Sequence, residues 1–139
     1  MKNILFVCTG NTCRSPMAEA ICLDLLRKTG KAGRARAASR GLYAAEGEPM
    51  AVNAVEALRE IGIEAAHTAA QLDGALLAEA DLVVCMTEGH RQALLQRWPD
   101  CAADIVVLQV PDPFGGDRAA YRACRDRLLR AVEEIVGRV

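Results

Sequence analysis

Short apolar runs, each too brief for a helix, alternate along this chain with segments whose apolar residues recur every three or four positions. That switch of period, repeated from end to end, constrains the fold more than any other feature. Residues 2–7 (KNILFV) read as a buried strand, closed by Thr9, Gly10 and Asn11. Ser15 followed by Pro16 predicts a helix N-cap with proline at the first helical position, and Met17, Ile21 and Leu25 carry that helix to Lys28. A second strand is predicted over 34–39. Pro49 is expected to open a helix with Val52, Val55 and Leu58 as its apolar stripe, ending near Gly62. Residues 80–86 (ADLVVCM) form a third strand, a helix follows over 88–97, and residues 104–108 (DIVVL) form the last strand. From Asp117 a long amphipathic helix carries Tyr121, Cys124, Leu128, Val132 and Ile135.

Strand-helix alternation favours a parallel sheet buried between helices. The prediction is an α/β fold: one domain over 1–139, with a four-stranded parallel sheet, helices on both faces and a phosphate-binding loop after the first strand. At 139 residues the chain is long enough for a substantial core, and it has no repeat, linker or low-complexity tract.

A net charge of -1 gives no reason to expect a polyanionic partner, and 4% aromatic residues are too few for a base-stacking surface. Nucleic acid is not an expected partner. The opening apolar run is shorter than a signal-peptide core, and no stretch reaches membrane-spanning length, so a cytoplasmic protein without membrane association is expected. The six cysteines suggest no disulfide framework in such a protein. Cys22, Cys85 and Cys124 sit in apolar patterns as core residues, and neither the cysteine spacing nor the two distant histidines suits a metal. No metal and no cofactor are expected.

The chemistry concentrates in residues 8–15 (CTGNTCRS), between the first strand and the first helix, where open α/β sheets place their ligands. Inward backbone N–H groups and the helix dipole suit an anion there. Neither G-x-x-x-x-G-K-[ST] nor a suitably placed G-x-G-x-x-G is present, so nucleotide binding lacks support. Arg14 offers paired donors for phosphate oxygens. The helix N-terminus, the loop amides and Arg14 together favour a thiolate at Cys8, poised for in-line attack on phosphorus.

The pattern C-x-x-x-x-x-R-S, as CTGNTCRSP, resembles the low molecular weight protein-tyrosine-phosphatase family. Asp112-Pro113 in "VPDPFGGD" resembles its general-acid motif. Ser39 to Gly41, "NAVEAL", His67 and "ADLVVCMTEGH" look like further landmarks in order. The resemblance implies a phosphorylated protein as substrate, a monomeric enzyme and a phosphocysteine intermediate. It makes Cys8 the nucleophile, Arg14 the phosphate holder and Asp112 the acid and then the base. Thr9, Gly10, Asn11, Thr12, Cys13 and Ser15 complete the phosphate loop. Asn11 tolerates a left-handed backbone. Ser39 and His67 are expected to brace the loop and Ser15 to donate to the thiolate. Cys13 is expected to protect Cys8 through a reversible disulfide, as in the family. His90 is expected on a helix surface, with no role.

Within the family, Thr12 resembles the bacterial protein-arginine-phosphatase branch, whereas tyrosine-directed members usually carry an aliphatic residue there. Gly115 and Gly116 leave Phe114 as the only aromatic of its segment, which points the same way. Asp112 and Asp117 offer charge for a guanidinium, although Asp117 also suits a helix N-terminus. Phosphoarginine is therefore the expected substrate, with phosphotyrosine as the alternative. Arg40 and the segment Thr68 to Ala70 depart from the family pattern and bear on substrate range. A thiol-linked arsenate reductase using Cys85 is a remote rival, because the next cysteine, Cys101, lies beyond a predicted helix. A phosphoprotein-binding module without turnover is equally remote, because Cys8 and Asp112 are both present.

Overall fold

The computed structural model describes residues 1–139. Its four strands, β1 (Lys2–Cys8), β2 (Ala35–Gly41), β3 (Leu82–Cys85) and β4 (Asp104–Val107), are parallel and lie in the order β2-β1-β3-β4. Five helices connect and flank them: α1 (Arg14–Lys28), α2 (Val52–Arg59), α3 (Gly74–Glu79), α4 (Glu88–Arg97) and α5 (Arg118–Gly137).

Side chains alternate along β1, and the two faces feed separate cores. Ile4, Phe6 and Cys8 pack with α1, α2 and α5 through Met17, Ile21, Leu58 and Leu128. Leu5 and Val7 pack on the other face with Leu77 of α3 and Leu94 of α4. Both faces are dry, which is why β1 reads as an unbroken apolar run. The chain leaves β1 toward β2 and later crosses back to β3, so the order reverses at the end of β1. Residues 9–13 occupy that reversal.

Several local expectations are corrected. Ser15 is not a cap: α1 begins at Arg14, its N-cap position is Cys13, and no side chain caps it. Pro16 is consequently the third helical residue, still within the first turn, where a missing N–H costs no helix bond. Pro49 does not start α2 but pairs with Thr68 in an isolated antiparallel bridge. Val52 is 74% exposed, and the buried face of α2 is Ala54, Ala57 and Leu58. The apolar pattern points to a different stripe because alanine weighs little in it yet suits close helix packing. Helix α3 was not anticipated. It is short and is announced mainly by Asp73, whose carboxylate accepts from the Leu76 N–H. Strands β3 and β4 are each shorter than predicted, whereas α4 matches its predicted span and α5 starts one residue later. Asp117 is the N-cap of α5, accepting from the Ala120 N–H at 2.9 Å. No helix is long and apolar enough to cross a membrane.

Candidate active site

The loop after β1 is shaped by what holds its carbonyl groups. The Cys8, Thr9 and Thr12 carbonyls accept from the N–H groups of Leu42, Tyr43 and Ala51, and the Asn11 carbonyl accepts from His67 Nε2. These partners draw the carbonyls away from the loop centre. The N–H groups of Gly10, Asn11, Thr12 and Cys13 donate to no group of the protein. Free amides gathered at a helix N-terminus form an anion cradle.

Asn11 keeps the cradle in shape. Its φ of 58° is left-handed, a conformation asparagine adopts more readily than most residues. The side chain is fully buried and uses every polar atom. Its Nδ2 donates to Ser15 Oγ at 2.8 Å and to Ser39 Oγ at 3.0 Å, and its Oδ1 accepts from the Ala70 N–H and from His67 Nε2, both at 3.0 Å. Both His67 contacts are to acceptors, so its Nε2 carries the proton. Ser39 and His67 thus brace the loop through Asn11. Gly41 completes the wall: a Cβ there would stand 2.6 Å from the Thr9 carbonyl oxygen, so no larger residue fits.

Ser15 sets the environment of Cys8. Its oxygen already accepts from Asn11, so its own proton is free for the Cys8 sulfur, 2.8 Å away. Both side chains are buried below the cradle.

Arg14 is 5% exposed, and its Nη1 donates to the Val110 carbonyl at 3.0 Å. Nη2 lies 3.6 Å from Asp112 Oδ2. Arg14 therefore links the cradle to the segment carrying Asp112, and Arg127 holds the same segment through the Gln109 carbonyl. The Asp112 carboxylate is half exposed, and its Oδ1 accepts from the Phe114 N–H. The two following glycines are demanded by the turn. Gly115 has φ of 79°, and a Cβ on Gly116 would lie 2.9 Å from the Pro113 carbonyl oxygen. At the position directly after Phe114, a positive φ disfavours a second aromatic, although a Cβ there would meet no other atom.

The cradle opens into a cleft of about 310 Å³ walled by Thr12, Glu48, Asp112 and Phe114. Phe114 is 78% exposed at its rim. Glu48 was not anticipated, because nothing local marks an exposed glutamate for a site assembled from distant segments. Arg40 stays outside the cleft and folds onto the Ser39 carbonyl. Asp117, occupied as a cap, is likewise not among the cleft residues.

His90 is the larger correction. It is 8% exposed rather than on a surface, and its Nε2 lies 2.8 Å from Thr9 Oγ1. Its Nδ1 lies 3.1 Å from Thr87 Oγ1. Its partners lie in the loop after β1 and at the N-cap of α4, so helical spacing alone gives no hint of them. Burial, reinforced by the Arg14 charge, lowers its pKa to about 4.

Cys13 is buried with its sulfur 3.4 Å from the Tyr121 hydroxyl, and burial pushes its thiol up. Cys22, Cys85 and Cys124 are buried as expected, each thiol pushed up to about 12, chiefly by burial. Cys85 lies within β3, a poor position for the mobile thiol of a reductase relay.

Comparison with known proteins agrees with this geometry. Residues 3–139 match the family described as low molecular weight phosphotyrosine protein phosphatase. The chain is 39% identical to a protein-arginine-phosphatase of Geobacillus stearothermophilus, over 98% of this chain and 95% of that protein. It superposes on a low molecular weight protein tyrosine phosphatase from T. tengcongensis with a TM-score of 0.93, 35% identity and full coverage of both chains. A cysteine-to-serine mutant of an arginine phosphatase, solved with a phosphorylated active-site serine, superposes with a TM-score of 0.91 at 33% identity, covering 98% of this chain and 94% of that one. With a cradle, a buried thiol beneath it and a family match along nearly its whole length, this chain is a cysteine-dependent phosphatase and belongs to the low molecular weight phosphotyrosine protein phosphatase family.

Proposed function

We propose that this phosphatase hydrolyses phosphoarginine in proteins. The observation that carries the reading is the charge layout of the cleft. The anion cradle and Arg14 line the cleft together with two acidic residues, Asp112 and Glu48. A phosphorylated guanidinium group has the matching layout, with anionic phosphoryl oxygens at one end and a delocalised cation behind them. Thr12 in the wall offers a hydroxyl beside the bridging nitrogen. The similarity to an arginine phosphatase supports the same assignment.

The chemistry follows from the positions. Cys8 Sγ attacks phosphorus as the P–N bond breaks, and Asp112 gives a proton to the departing guanidine nitrogen. Arg14 and the loop amides hold the equatorial oxygens through the transition state. Asp112, now a carboxylate, takes a proton from the water that hydrolyses the phosphocysteine. A serine that takes up phosphate in the related arginine phosphatase supports a covalent intermediate at this position. Cys13 serves in this reading as the disulfide partner that shields an oxidised Cys8. Peptide mapping of peroxide-treated enzyme without an 8–13 linkage would remove that role. The reading extends to a monomer over 1–139 in the cytoplasm, testable by sedimentation and fractionation.

Phe114, an exposed aromatic at the rim, favours phosphotyrosine as the second reading. The test is kcat/KM on a phosphoarginine protein and on a phosphotyrosine peptide, with Cys8→Ser as the blank. A phosphoarginine preference supports the first reading, and the opposite preference replaces it with the second.

A further inference from the structure

We propose that His90 is a positioning residue that aims the Thr9 hydroxyl at the bound phosphoryl group. The inference rests on the phosphatase reading of the loop, in which Thr9 contributes to the cleft wall.

The hydrogen-bond chain runs Thr87, His90, Thr9, and each link constrains the next. Thr87 is the N-cap of α4, and its Oγ1 accepts from the His90 backbone N–H at 3.2 Å. The same oxygen lies 3.1 Å from His90 Nδ1, and Thr9 Oγ1 lies 2.8 Å from Nε2. The ring is buried and neutral above pH about 4, so only one of its nitrogens carries a proton.

Two arrangements satisfy the chain. With the proton on Nδ1, the ring donates to Thr87, and the Thr9 hydroxyl must donate to Nε2. The Thr9 oxygen then meets the cleft with lone pairs only, which repel an anion. With the proton on Nε2, Thr87 donates to Nδ1 and the ring donates to Thr9. The Thr9 proton is then free to point into the cleft and donate to a phosphoryl oxygen. An anion in the cradle selects the second arrangement, because it alone gives the anion another donor. The neutral ring thus supplies no charge of its own. It sets the direction of one hydroxyl and ties the start of α4 to the loop.

The test is a double-mutant cycle read by competitive inhibition with inorganic phosphate and by kcat/KM. Thr9→Val keeps the branched shape and removes the hydroxyl. His90→Phe fills the ring's place without a donor, and His90→Gln restores a donor near the Nε2 position. Expected are a roughly tenfold weaker phosphate Ki for Thr9→Val and for His90→Phe, recovery to within about threefold in His90→Gln, and no further loss when His90→Phe is added to Thr9→Val. Should His90→Phe fail to fold, His90→Leu, which also lacks a donor, replaces it in both Thr9 backgrounds, with the same roughly tenfold loss expected beside Thr9 and none beside the substitution Thr9→Val. Independent, multiplying losses would overturn the inference while leaving the phosphatase reading intact. A wild-type enzyme that phosphate does not inhibit would overturn both.

Discussion

Arg14 Nη2 stands 3.6 Å from Asp112 Oδ2, joining a nearly buried guanidinium to a half-exposed carboxylate across the mouth of the cleft. On the proposed mechanism, the group that holds the phosphoryl oxygens is therefore in contact with the group that delivers the leaving-group proton. Binding and proton delivery share one contact, so a substitution at Asp112 is felt most where the leaving group needs a proton.

Asp112→Asn is expected to lower kcat by about 10²–10³-fold on substrates with poor leaving groups such as phenol. With an acidic leaving group such as nitrophenol the loss should be far smaller. A leaving-group series on both proteins checks this, and equal losses across the series would argue against the acid assignment.

Thr12→Ile replaces the wall hydroxyl by an aliphatic branch. It is expected to move the phosphoarginine-to-phosphotyrosine ratio of kcat/KM toward phosphotyrosine by about tenfold. A mutant with an unchanged ratio would make Thr12 irrelevant to substrate choice.

Glu48→Lys reverses a wall charge without touching the cradle. A loss of about fivefold on phosphoarginine protein, with little change on a phosphotyrosine peptide, is expected at low salt and should shrink as salt rises. Parallel losses on both substrates would place Glu48 outside substrate recognition.

Asn11→Ala strips the cradle of its hub. It leaves the Ala70 N–H without its acceptor and puts a non-glycine residue without a polar side chain at positive φ. A loss of about 3 kcal/mol, or roughly 10 °C in melting temperature, is expected together with a fall in kcat. Calorimetry and steady-state kinetics on the same preparation measure both.

His90 also gives stability a pH dependence. Its folded pKa, about 4, lies below the ordinary value of 6.5, so in that window the unfolded chain binds more protons. Its contribution is complete above pH about 6.5 and is lost as pH falls toward 4, up to about 3 kcal/mol. Arg14 opposes protonation of the ring and Asp112 favours it. Urea melts from pH 7 to 4 should show a shallower decline for His90→Gln than for wild type.

The parts of this molecule legible in sequence were those written in a contiguous stretch. Cys8, Arg14 and Ser15 declare themselves through spacing, and β1 through an apolar run buried on both sides. Asp112 and His67 lie far from the loop and were found only through the resemblance to a family. Glu48 and His90 escape a sequence reading because nothing in their own segments marks them: Glu48 joins Thr12 in the cleft lining only in the folded chain, and His90 meets Thr9 across 81 positions. The face of α2 was misplaced for a related reason: Val52 outweighs Ala54 by hydropathy, but the close approach of α5 rewards the smaller side chain.

β1 lends side chains to both cores and ends in the cysteine beneath the cradle. The nucleophile therefore has no private scaffold. Neither layer of helices can melt away while the other keeps Cys8 in place, so partial unfolding leaves no half-active remnant. Loss of activity on heating should coincide with loss of the whole fold, and the enzyme's working range ends where its single cooperative transition begins.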